Sequence, residues 1–187
     1  AVGRVGGAAH GRAAEHREAK RMDRFGQFGM AASISAVKDA GIDFEAEDRY
    51  RCGVVIGSGI GGIETLEEQN RVLIERGVSR GSPFTVPRLM VKAASCNVSI
   101  LFRIHGPNTA VATACATGSN AIGDAMRFIQ NDLADIMIAG GSEAALCELG
   151  MASFCAARAL STRNDEPQRA SRPWEGDRPL QRTADID

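Results

Sequence analysis

Apolar residues recur along this chain in two alternating textures, stripes at helical spacing and short unbroken runs. The stretch EHREAKRMDRFGQFGMAASISAVKDAG carries Met22, Phe25, Phe28, Met30, Ala31, Ile34 and Val37 near a 3.6-residue repeat, and Gly41 can stop it. It predicts a helix over 17–40. RCGVVIGSG reads as a buried strand over 52–57 running into a glycine turn. IETLEEQNRVLIERG (63–77) is an amphipathic helix, SRGSPFTVPRLM (79–90) a Ser/Pro loop, and VKAASCNVSILFRI (91–104) a helix in spite of its β-branched residues. HGPN (105–108) is a turn, TAVATA (109–114) a strand, TGSNAIGDAMRFIQND (117–132) a helix, and ADIMIAGG (134–141) an apolar strand with a glycine exit. Short apolar strands alternating with helices predict an α/β fold on a mostly parallel sheet covered by helices. Residues 1–14 show neither period and read as a tail; a transit-peptide remnant is the other reading.

Composition narrows the class. A hydrophobic content of 44% is ample for a core and excludes disorder as the class. A net charge of −1 argues against nucleic acid or an anionic membrane as partner. The apolar runs are too short to span a bilayer, and no signal peptide is visible. There is no initiator Met, so the chain reads as processed or incomplete. Five cysteines without CxxC spacing argue against a disulfide framework or a zinc ribbon, and fit a reducing, cytosolic setting.

Three stretches carry candidate chemistry. GSGIGG (57–62) formally contains GxGxxG after a strand and before a helix. A dinucleotide site also needs a second strand ending in an acid about 20 residues on, and SRGSPF stands there instead. The motif then reads as a tight turn, or as the same turn lining a pocket. His105 in HGPN reads as a surface turn residue. Cys115 sits at a strand-to-helix junction, between Ala114 and Ala116 and just before Gly118 and Ser119. Free N–H groups at a helix start favour a thiolate and can also serve an oxyanion. From the residues alone, a nucleophile and a small structural hydrophobe both remain open. Cys52, Cys96, Cys147 and Cys155 read as structural.

Taken in order, EAKRMDRF, GVVIGSGIGGIETLEEQ, SPFTVPRLM, HGPNTAVATACATGSNAIGDA, ADIMIAGGSEA and ARALSTRNDEPQRASRPW resemble the β-ketoacyl-[acyl-carrier-protein] synthases of type II fatty acid synthesis, most closely the elongating branch. The resemblance runs from Glu15 to Trp174, so residues 15–175 are expected to form an incomplete synthase N-terminal domain between non-matching tails, 1–14 and 176–187. It implies a thiolase-like fold of two stacked βαβαβαβ halves, a homodimer in the complete enzyme, and a nucleophile on a buried helix N-terminus. Cys115 would take the acyl chain from the phosphopantetheine thiol of acyl carrier protein. Decarboxylation of malonyl-carrier protein would then drive condensation to a 3-ketoacyl product, with no metal or redox cofactor. Ile60 and Phe154 match acyl-pocket positions. Arg17, Lys20, Arg21 and Arg158 match positions that receive the acidic carrier protein; without the resemblance, the first three read equally as a solvated helix face.

Two departures limit what the resemblance implies. EGDRPLQRTADID and AVGRVGGAAHGRAA replace the family's flanking strands, as a frame change or a truncated gene model would. The second half, with both catalytic histidines, their supporting lysine and a Phe loop that supplies an oxyanion N–H, is not represented; His10, His16 and His105 do not match those motifs. The expected location is the cytoplasm, or an organelle's stroma or matrix. Two functional classes follow. One is the nucleophile half of an acyltransferase. The other is a non-catalytic remnant that docks carrier protein or pairs with another subunit.

Overall fold

The computed structural model describes residues 21–172. They fall into two compact units divided between Cys147 and Glu148. In the larger unit, helix α1 (Arg24–Ala40) is capped at both ends. The Asp23 carboxylate accepts from Phe25 N at 3.2 Å, and Gly41, at φ 65°, turns the chain out of the helix. This cap puts the helix start at Arg24. Residues 17–20 of the expected helix lie outside the described residues. The other Asp23 oxygen accepts from both the amide and the hydroxyl of buried Thr65 at 3.0 and 2.5 Å, tying α1 to the first turn of α2 (Ile63–Arg76).

Strand β1 (Cys52–Gly57) is buried along its whole length, as an apolar run without alternation implies. It is central in a parallel sheet of order β2-β1-β3, with β2 at Asn108–Thr109 and β3 at Ile136–Gly141. Cys52, Val54 and Ile56 point to one face and pack with Phe25, Ala93, Ala94 and Val98, from α1 and from α4 (Ala93–Phe102). Val55 points to the other and packs on Ala121 and Ala125 of α5 (Thr117–Gln130). The sheet is therefore covered on both faces, as expected.

Two expectations change. The strand expected over 109–114 is only Asn108–Thr109. Buried Ser95 of α4 is the reason: its hydroxyl accepts from Ile56 N at 3.0 Å and lies 2.7 Å from Thr109 O, so the ladder is intercepted where the strand would have continued. The expected 79–90 loop contains a helical turn, Val78–Arg80, and a short helix α3 (Thr85–Leu89). Pro87 lies in its first turn, where its missing N–H has no intrahelical partner to lose. The smaller unit carries α6 (Glu148–Ala156), which the sequence reading did not resolve.

The N-terminal edge of the sheet is clamped by charge. Arg51 donates to Asp135 through Nε and Nη2, both at 2.6 Å, and to Asp132 Oδ1 at 2.5 Å, while Asp135 N returns a bond to Arg51 O at 2.7 Å. These bonds set the register of Cys52 against Ile136. The hydrogen bonds from Arg51 hold the Asp135 carboxyl below its usual range, with desolvation opposing and the guanidinium charge adding. A depressed folded pKa stabilises the fold above the unfolded value of about 4 and loses that contribution as pH falls through the folded value. The stability difference between the wild type and Asp135→Asn, from chemical denaturation, is therefore expected to be constant near neutrality and to shrink as pH is lowered from about 5 toward 2.

Candidate active site

The carboxyl ends of β1 and β3 meet the N-terminus of α5, where ligands bind in parallel α/β sheets. Backbone packs on backbone there. A side chain at Gly57 would run into the Val111 carbonyl oxygen and the Thr117 methyl, and a Cβ at Gly141 would lie 3.1 Å from Gly118 N and Cα. The chain crosses this end through one helical turn, Ala114–Ala116, that leads into α5. Thr117 ties the turn: Thr113 N donates to its hydroxyl at 2.9 Å, and that hydroxyl donates to Ala114 O at 2.8 Å. Ala114 is held at φ 49°, which costs a non-glycine residue about 1 kcal/mol or more.

Cys115 is the central residue of this turn. It is exposed, whereas a buried helix N-terminus was expected; the buried residue is Thr117, 4% accessible. The left-handed step at Ala114 and the inward hydroxyl of Thr117 together leave the thiol outside. Ala116, at the N-cap, makes no side-chain cap, so the amides that open α5 are uncapped by it. An uncapped helix start beside an accessible thiol suits a nucleophile attacking a carbonyl whose oxygen becomes negative.

The GSGIGG turn abuts this segment. A Cβ on Gly59 would lie 3.4 Å from Ala114 Cα. The turn is held by Glu143, just past β3: its carboxylate accepts from Ser58 Oγ at 3.1 Å and from Ile60 N at 3.0 Å, and Ser58 Oγ accepts from Gly61 N at 2.9 Å. Amides that would cradle a phosphate in a dinucleotide site are thus occupied from within the chain, beside a carboxylate that repels anions. Gly62 N donates to Leu89 O at 3.1 Å, backing the turn on the far side. Ile60 is 42% accessible.

The other expected site residues are spread more widely. Arg21 is exposed, its guanidinium 5.4 Å from the Phe84 ring centroid. Arg17 and Lys20 lie outside the described residues. Phe154, 40% accessible on α6, and Arg158, just after it, belong to the smaller unit. His105 precedes β2, and its N donates to Arg49 O, so it sits at the opposite end of the sheet from Cys115. Cys52 is buried, its thiol donating to Asp48 O at 3.3 Å; burial above all, with Glu47, Asp48 and Asp135 nearby, pushes that thiol up. Cys96 and Cys147 are half-buried, and Cys155 is exposed. On α5, Ile122, Met126 and Ile129 form an exposed stripe spaced four and three residues apart, on a different face from Ala121 and Ala125. Among the described residues no group of three or more His, Cys, Asp or Glu could hold a metal ion, and no helix is long and apolar enough to cross a membrane. Sequence reasoning missed Glu143 and Thr117. The acid two residues past a strand's glycine exit was the available signal for Glu143, since parallel strand ends converge on one site.

This fold and this end of the sheet define an α/β protein with an exposed cysteine at the carboxyl edge of a parallel sheet. Residues 9–177 match the family described as beta-ketoacyl synthase, N-terminal domain, and the chain belongs to that family. It is 52% identical over 162 residues to 3-oxoacyl-[acyl-carrier-protein] synthase 2 of Vibrio cholerae, covering 87% of this chain and 39% of that protein. The protein of that name in Synechocystis is 49% identical over 164 residues, covering 88% and 39%. A crystal structure of a beta-ketoacyl synthase from Burkholderia phymatum superimposes with a TM-score of 0.77 at 31% identity, over 92% of this chain and 42% of that one. A type II polyketide ketosynthase solved with its acyl carrier protein gives 0.71 at 22% identity, over 82% and 46%, a likeness of fold alone. The chain thus spans about two fifths of the length of these relatives.

Accessibility separates Cys115 from Cys52. A thiol-directed acylating reagent, mapped by peptide mass spectrometry on the folded chain, is expected to modify Cys115 and to leave Cys52 unmodified until denaturation. Labelling of Cys52 at the rate of Cys115 in folded protein would show that the turn does not single out its thiol.

Proposed function

We propose that this chain is the nucleophile-bearing part of a 3-oxoacyl-[acyl-carrier-protein] synthase. The observation that carries this is Cys115, exposed on a strained turn at an uncapped helix start, in a segment matched to the β-ketoacyl synthase N-terminal domain. The Cys115 thiolate attacks the thioester carbonyl of an acyl-carrier protein. A new S–C bond forms, the bond to the phosphopantetheine sulfur breaks, and that thiolate leaves with the electron pair. In the complete enzyme, malonyl-carrier protein then loses carbon dioxide. The resulting carbanion attacks the Cys115 thioester, and the cysteine thiolate departs as 3-ketoacyl-carrier protein forms. No metal or redox group is needed for either step.

Ile60, whose turn abuts that of Cys115, bounds the acyl chain in this proposal, and Phe154 enters it only as a match to the family's acyl-pocket position. Arg17, Lys20, Arg21 and Arg158 receive the acidic carrier protein, for which the exposed guanidinium of Arg21 is suited. The stripe of Ile122, Met126 and Ile129 is covered in the complete enzyme by its second half, and that enzyme is a homodimer working in the cytoplasm or an organellar equivalent. The second reading is a remnant that docks carrier protein without catalysis; His105, the single histidine among the described residues, lies at the far end of the sheet from Cys115 and does not serve the carbanion in either reading.

Two outcomes test this. Incubated with acyl- and malonyl-carrier protein, the 187-residue chain is expected to form an acyl adduct that Cys115→Ala lacks, and no 3-ketoacyl product above that control. A Cys115-independent adduct would refute the assignment of the nucleophile. Charge reversal at Lys20 and Arg21 is expected to weaken carrier-protein binding about tenfold at low salt and less at high salt; unchanged affinity at low salt would reduce these residues to a solvated face.

A further inference from the structure

We propose that Glu143 is a positioning residue for acyl-chain selection, one that fixes Ile60 beside the Cys115 turn. The proposal rests on the reading above, in which Ile60 borders the acyl chain, and adds a residue to it. Glu143 stands 83 residues from Ile60 and 85 from Ser58 in sequence, yet its carboxylate binds both. Two donors from the turn converge on it, beside Ala144 N at 3.4 Å. Ile60 offers its N–H. Ser58 Oγ accepts from Gly61 N and so directs its own proton at Glu143. Both oxygens of the side chain must therefore be acceptors. A carboxylate meets that requirement, whereas a carboxamide of the same shape presents one acceptor and one donor, and sets an N–H against an N–H or an O–H.

The same contacts place Ile60. Its amide is held on the Glu143 side while Gly61 and Gly62 are backed by Leu89 and Val91, so residue 60 is fixed from both ends. The carboxylate fits this closely only because residue 59 has no side chain: a Cβ there would lie 3.0 Å from Glu143 Oε2. With its backbone fixed, Ile60 roots its exposed side chain at one place beside the Cys115 turn. Released, it can swing, and the space for an acyl chain beside Cys115 changes. Glu143 touches neither thiol nor substrate in this account and acts entirely through the turn.

The test compares Cys115 acylation by acetyl-pantetheine and by dodecanoyl-pantetheine, followed by intact mass on the 187-residue chain. Glu143→Gln, Ser58→Ala and Ile60→Ala are each expected to change the dodecanoyl-to-acetyl rate ratio by roughly tenfold, the scale of a misfit in an apolar pocket. Because Glu143 and Ser58 act through one hydrogen-bond chain, the double variant is expected to move the ratio no further than either single one. A loss of packing alone would depress both rates together and leave the ratio unmoved. If Ile60→Ala shifts the ratio while Glu143→Gln and Ser58→Ala do not, the positioning role is overturned and the proposed function stands. If Cys115 accepts neither thioester, or Ile60→Ala has no effect on the ratio, the acyl-pocket reading fails and this inference fails with it.

Discussion

The constraint on which the reactive end of this chain depends is the approach of bare backbone to bare backbone. β1 ends at Gly57 and β3 ends at Gly141, and each of these two glycines stands where added carbon would press on a neighbour, at Gly141 on the backbone of Gly118 where α5 opens. Close packing in a protein interior leaves little room to relax, so a methyl group in such a place costs roughly 1–3 kcal/mol and shifts what it touches. What it touches here is the turn that presents Cys115. The thiol's position is thus set less by its immediate neighbours, which are alanines, than by the absence of side chains one layer below.

Polar groups then secure what the glycines allow. Ser95 intercepts the β1–β2 ladder and frees the chain after Thr109 to leave the sheet. Thr117 closes the turn over that departure, and Glu143 pins the GSGIGG turn against it. At the opposite edge Arg51 holds β1 and β3 in register, far from the chemistry. The two ends of the sheet divide the labour in the usual way for parallel α/β structures, stability at the amino edge and chemistry at the carboxyl edge.

How far the sequence foretold this depended on whether local pattern or distant contact decided each element. Cys52–Gly57 was readable to the residue, because a strand buried on both faces must be apolar throughout and a glycine turn ended it. TAVATA has every local mark of a strand and became one only at its first residue, because a serine 14 residues earlier competes for the ladder. α6 escaped notice because apolar residues and Gly150 follow one another in ELGMASFCA without a clear face. Cys115 stood out by its junction, but its exposure depends on the left-handed step at Ala114, which an alanine does not announce. Glu143 was not singled out, because its partners Ser58 and Ile60 are more than 80 residues away in sequence and only the topology brings them to it.

The most direct test of this account is an internal competition between two exposed thiols in one molecule. Gly141→Ala puts a methyl group against Gly118 and so displaces the start of α5 without altering any residue of the Cys115 turn. Peptide mass spectrometry after brief exposure to an acyl-pantetheine thioester gives the rates at Cys115 and Cys155 together, with circular dichroism confirming that the helices remain. Cys115 is expected to react faster than Cys155 in the wild type, and this advantage to fall by roughly fourfold in Gly141→Ala, because a Cβ 3.1 Å from Gly118 makes its neighbour give by a few tenths of an ångström. Equal rates in the wild type, or an undiminished advantage in the variant, would contradict the claim that backbone approach at this end of the sheet makes Cys115 the nucleophile.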